Sequence, residues 1–147
     1  MTASIQDYAP AALAADLRDV AARLKRRLQS HSQLGELTGT QIAVLARLDR
    51  EGEATVTSLA KAEGVRPQSM GATIAGLQAA GHVQGTPDPA DGRQTLLSLT
   101  PECRARIEAG RVARQDWLQR GIERELSDAE RAELGHALRL LRRLVDG

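Results

Sequence analysis

Apolar residues return every three or four positions near both ends of the chain, with a change of period between them. At Leu13, Leu17, Val20, Leu24 and Leu28 the steps are four, three, four and four, which is the stripe of an amphipathic helix. Arg23, Lys25, Arg26 and Arg27 lie on its other face. A second helix is predicted from Thr38, because Thr38 and Gln41 have the spacing of a capping box and Leu37 with Ile42 that of a hydrophobic staple. Ile42, Val44, Leu45 and Leu48 form its predicted buried side, and Gly52 ends it. Thr57 is placed to cap a short helix containing Leu59 and Ala60, which Gly64 terminates. The next helix follows at once: Pro67 suits a first helical position, Val65 and Met70 repeat the staple spacing, and Met70, Ile74 and Leu77 form the inner face up to Gly81. Two short helices joined by a tight glycine-containing turn predict a helix-turn-helix.

Beyond Gly81 the segments His82–Thr86 and Gln94–Leu99 flank a proline-rich loop with an Asp91-Gly92 turn signal, the pattern of a β-hairpin. Thr100 and Pro101 then open a long helix to about Arg120. Ser127 and Glu130 form another capping box, before a last helix carrying Leu134, Leu138, Leu141 and Val145. The expected fold is mostly α, a winged helix-turn-helix with a β-hairpin wing between N- and C-terminal helices. In that architecture the second helix of the pair enters the major groove of DNA, and the hairpin reaches toward backbone or minor groove.

Composition agrees with a helical core. The chain has 147 residues, 41 % hydrophobic and 27 % charged, a balance that fits one compact domain. With one Trp, one Tyr and no Phe, its interior must be built from Leu, Val, Ile and Ala. No apolar run approaches the roughly 20 residues that span a bilayer, and the N-terminus lacks a signal-peptide layout, so a cytoplasmic protein without a membrane partner is expected. The single Cys103 cannot form an internal disulfide.

Charge adds little. The formal net charge is +1, and from residue 54 to 100 Lys61, Arg66 and Arg93 are balanced by Glu63, Asp88 and Asp91. Nucleic-acid binding therefore has to be argued from layout. A rigid helix with short polar groups at its exposed N-terminal turn is what groove reading requires, and Arg66, Pro67, Gln68, Ser69 and Thr73 supply that turn. Gln68 can pair bidentately with adenine, Ser69 can meet a base edge or a phosphate, and the positive end of the helix dipole favours a phosphate nearby. Arg93 in the wing can neutralise a phosphate or enter a narrow minor groove. His31, His82 and His136 are isolated from any metal-ligand spacing, and no nucleophile has a neighbouring base motif. No metal, no cofactor and no catalysis are expected.

The chain resembles the MarR family over nearly its whole length. The most specific part is Asp88-Pro89-Ala90-Asp91-Gly92-Arg93 followed by Leu97-Ser98-Leu99-Thr100, which looks like that family's wing. Thr57 to Val65 and Gln68 to Leu77 look like its reading head. The resemblance implies one domain over 1–147, a DNA-binding region at about 37–100, and dimerisation helices at about 8–32 and 101–146. It also implies a homodimer on a pseudo-palindromic operator, acting as a repressor that a small aromatic or anionic effector releases. Asp91 would hold Arg93 in place, although both residues also fit a solvated turn. Trp117 is either dimer core or the wall of an effector pocket, with Arg27, His31 and Arg114 as partners for an anion.

Basic residues common in the family are replaced here by Ala72 and Gly76 in the second helix of the pair and by Gly85 in the hairpin. Gly71 and Gly76 each cost up to about 1 kcal/mol relative to Ala in a helix, and permit close approach either to DNA or to another helix. Cys103, near a helix start, reads as a structural thiol or as a redox sensor. The alternative to a DNA regulator is a winged-helix protein-interaction module with weak or lost DNA binding, motivated by the scarcity of charge between Arg66 and Arg93.

Overall fold

A computed structural model describes residues 8–147; residues 1–7, part of the span 1–147 assigned to one domain, lie outside the described residues. Six helices and one hairpin are found among the described residues: α1 (Pro10–Gln29), α2 (Gly39–Glu51), α3 (Val56–Glu63), α4 (Pro67–Ala79), β1 (Val83–Pro87), β2 (Thr95–Leu99), α5 (Pro101–Glu125) and α6 (Asp128–Asp146). They fall into two compact units, one ending at Gly110 and the other spanning Arg111–Gly147, with the boundary inside α5.

Local chemistry sets most helix ends. Thr38 accepts from the Gln41 N–H at 3.2 Å while its own N–H donates to Gln41 Oε1 at 3.0 Å, the predicted reciprocal cap of α2. Ser127 and Glu130 make the same arrangement at 2.7 and 3.2 Å for α6. The cap of α3 differs from the expectation: Thr55, not Thr57, exchanges hydrogen bonds with Ser58 at 3.1 Å, which places Thr57 inside the first turn. Gly64 then takes φ 68° and closes α3 in the left-handed region that favours glycine. The long helix α5 runs five residues beyond the expected Arg120, to Glu125.

The core of the first unit gathers Val44, Leu45 and Leu48 of α2, Leu59 and Ala60 of α3, Met70, Ile74 and Leu77 of α4, Val83, Leu97 and Leu99 of the hairpin, and Cys103 of α5. Ile42, expected on the buried side of α2, is instead 45 % exposed. The hairpin is antiparallel with Val83 opposite Leu99 and Pro87 opposite Thr95; β1 is shifted one residue later than the pattern implied, and β2 starts one residue later but ends at Leu99 as expected. A third short segment joins it, since Ala54 and Leu97 exchange backbone hydrogen bonds of 3.1 and 2.7 Å. This bridge ties the start of α3 to the base of the hairpin. At the far end of α4, the Thr100 hydroxyl donates to the Gly81 carbonyl at 2.7 Å and accepts from the Cys103 N–H at 3.1 Å. One side chain thereby fastens the exit of α4 to the entry of α5.

Candidate nucleic-acid interface

The inner face of α4 is fixed by Met70, Ile74 and Leu77, which are at most 3 % exposed. Helical spacing consequently turns Gln68, Ser69 and Ala72 outward, and all three are exposed together with Arg66 and Pro67. Arg66 is the N-cap in an extended conformation, and no side chain caps this helix end. Because Pro67 has no N–H, the Gln68 and Ser69 amides are the first donors at the positive end of the helix. Thr73 is less available than its neighbours, being half-buried with its hydroxyl donating to the Ser69 carbonyl at 3.2 Å.

Packing behind α4 holds this turn in place and tunes its charge. From α2, Arg47 Nε donates to Glu63 Oε1 at 2.8 Å and its terminal nitrogen reaches Glu51 at 3.0 Å. Hydrogen bonds to Glu63 and then Glu51 raise the Arg47 pKa further above its ordinary value. Glu63 is the last residue of α3, so this pair neutralises the acidic group beside the turn into α4 and leaves the positive charges of Lys61 and Arg66 uncancelled by it. A charge count from residue 54 to 100 omits Arg47, which contacts Glu63 only after folding. The glycines separate as well. A Cβ at Gly76 would stand 3.3 Å from Gln41 Nε2 of α2, a tight but yielding contact, whereas a Cβ at Gly71 would meet nothing within 4 Å.

The wing tip is built from two acidic side chains that accept backbone hydrogen bonds. Asp88 Oδ1 takes the Ala90 N–H at 2.8 Å, and Asp91 Oδ1 takes the Arg93 N–H at 3.1 Å. Asp91 also lies 3.8 Å from Arg93 Nε, a loose pairing that leaves the arginine side chain 96 % exposed. The closer of the two contacts, to the Arg93 backbone, makes Asp91 a turn-shaping residue. Within β1, a Cβ at Gly85 would come within 2.6 Å of Thr95 Cγ2, so a larger residue there requires the exposed Thr95 side chain to shift.

The effector candidates are divided between the units. Exposed Arg27 and half-buried His31 belong to the first, while half-buried Arg114 and Trp117 belong to the second. Cys103 is fully buried, and desolvation pushes its thiol above the usual range, so it is an apolar core residue rather than an activated thiolate. No group of three or more metal-ligating side chains occurs among the described residues. No helix among them is long and apolar enough to cross a membrane.

A helix-turn-helix whose second helix presents an open polar N-terminal turn, followed by a hairpin tipped with arginine, defines the winged-helix class of DNA-binding proteins. Comparison with known proteins makes the assignment specific. The MarR family model matches residues 36–94. An HTH-type transcriptional regulator of Mycobacterium bovis is 38 % identical over 136 residues, covering 92 % of this chain and 94 % of the relative. A transcriptional regulator from Pseudomonas aeruginosa superposes with a TM-score of 0.77 at 33 % identity, over 98 % of this chain and 99 % of that one. MepR of S. aureus, solved bound to an oligodeoxyribonucleotide, has the same fold, with a TM-score of 0.73 at 18 % identity over 90 % of this chain and 97 % of its own. The chain belongs to the MarR family of winged helix-turn-helix regulators and is a DNA-binding transcriptional regulator, not an enzyme.

Proposed function

We propose that two copies of this chain bind a pseudo-palindromic operator as a repressor, each inserting α4 into a major groove and laying its wing along the adjacent backbone or minor groove. The exposed first turn of α4 carries this reading. Gln68 and Ser69 face bases, Thr73 contributes its methyl group, and Arg66, the uncapped amides behind Pro67 and Arg93 meet phosphates or a narrow minor groove. Asp91 positions Arg93. Dimerisation through about 8–32 and 101–146 is supported by the apolar residues α1 and α6 leave in water: Leu13, Leu17, Val20 and Leu24 are 38 to 59 % exposed, and Leu144 and Val145 exceed 70 %. Monomeric proteins rarely expose contiguous apolar stripes of this kind. A small aromatic or anionic effector releases the DNA, with Arg27 and His31 of the first unit and Arg114 and Trp117 of the second as separate candidates for contact with it.

The test is fluorescence anisotropy with a duplex from the DNA upstream of the chain's own coding region, titrated at several salt concentrations against excess random duplex. Preferential binding is expected, and Arg93→Ala is expected to weaken binding to every sequence while lowering the salt slope by about 1. Equal affinity for upstream and random duplexes across that titration would favour a protein-interaction module instead. Quenching of Trp117 by salicylate-like anions, with loss of DNA binding at the same concentrations, tests effector release.

A further inference from the structure

The 13 residues of α4, from Pro67 to Ala79, contain no charged side chain. Guanine is read in the major groove chiefly by a bidentate Arg or Lys on N7 and O6, and cytosine by a carboxylate on its N4 amino group. Neither residue type is present on α4. Its outward face offers Gln68, matched to adenine N6 and N7, the Ser69 hydroxyl, which can meet any base edge or a phosphate and selects none, and one turn after Gln68 the exposed methyl group of Ala72, matched to the 5-methyl of thymine. Arg47 and Glu63 are engaged with each other behind the helix, so neither brings a charge into the groove.

We propose that the base pairs lying under α4 are A·T pairs, read as an adenine by Gln68 and a neighbouring thymine methyl by Ala72, with no guanine contact from this helix. The proposal rests on operator binding through α4 as argued above, and it names the sequence class that this helix accepts. Positive charge reaches the DNA from the flanks of the reading helix, at Arg66 and at Arg93, where it positions the protein without specifying a base.

In vitro selection with the full chain, from duplexes randomised over two half-sites one helical turn apart, supplies the operator. Single 7-deazaadenine and deoxyuridine replacements are then scanned through each half-site. One adenine is expected whose 7-deaza analogue weakens binding roughly 5- to 100-fold, with that sensitivity lost in Gln68→Ala. A neighbouring thymine is expected whose replacement by deoxyuridine weakens wild type but not Ala72→Ser. Gln68→Arg is expected to shift the preferred base at its position to guanine. A guanine whose 7-deaza analogue weakens binding, with the effect abolished by Arg66→Ala or Ser69→Ala, would overturn the proposal and leave operator binding standing. Recovery of no preferred sequence would overturn both.

Discussion

The reading head and the terminal helices share the same apolar period and meet opposite fates. In α2, α3 and α4, Val44, Leu59, Met70 and Leu77 have no solvent exposure, whereas the equally regular stripe of α1 leaves Leu17 38 % and Val20 59 % exposed. A period of 3.6 states that one helix face is apolar; it does not state what covers it. In the reading head, three helices and a hairpin close around one another because the turns at Gly52, Gly64 and Gly81 are tight enough to bring successive faces together. The stripes of α1 and α6 keep apolar surface in water, the surface that the proposed pairing would cover. The reading head thus closes its own core, while under the proposed pairing α1 and α6 are the helices that a second copy completes.

Substitutions that remove apolar surface should divide along this line. Leu77→Ala, at a fully buried position, is expected to cost about 2–5 kcal/mol in urea denaturation, independent of protein concentration. Leu17→Glu is expected to weaken self-association by about 2–3 kcal/mol, roughly a hundredfold in dissociation constant by sedimentation, while circular dichroism of the reading head is retained. A loss at Leu17 that is concentration-independent and as large as that at Leu77 would break the comparison. Thr55→Ala, which removes half of the reciprocal cap on α3, is expected to lower stability by about 1 kcal/mol, with no such effect from Thr57→Ala. Gly71→Ala is expected to raise stability by about 0.4–1 kcal/mol, since the added methyl meets nothing and the helix loses a glycine. If Gly71→Ala instead lowers operator affinity at unchanged stability, that face of α4 approaches DNA closely.

Much of this architecture was legible in the chain, and what was missed has identifiable causes. Thr38 with Gln41 and Ser127 with Glu130 are capping boxes whose partners sit three residues apart, so local sequence contained the whole interaction. At α3 the signal was ambiguous because Thr55 and Thr57 can each cap, and the choice is made by Ser58, a less common third-position partner than Glu or Gln. Ala54 carries no pattern that would announce its pairing with Leu97, and Arg47 reaches Glu63 across 16 positions, so both depend on the tertiary fold. The outward placement of Gln68 and Ser69 followed from Met70, Ile74 and Leu77. The back-bonding of Thr73 and the near-complete exposure of Arg93 did not, because a hydroxyl's choice of acceptor and a loop's reach are set by coordinates rather than by period.

The central claim is that a self-contained reading head is presented to DNA in pairs by helices that a single chain leaves unsatisfied. The most direct test is the sedimentation mass of the protein saturated with its selected operator duplex, measured for wild type and for Leu17→Glu. Two chains per duplex are predicted for wild type, with Leu17→Glu reduced to one weakly held chain whose half-site preference is unchanged. One chain per duplex for wild type, or two for both proteins at equal affinity, would contradict the account.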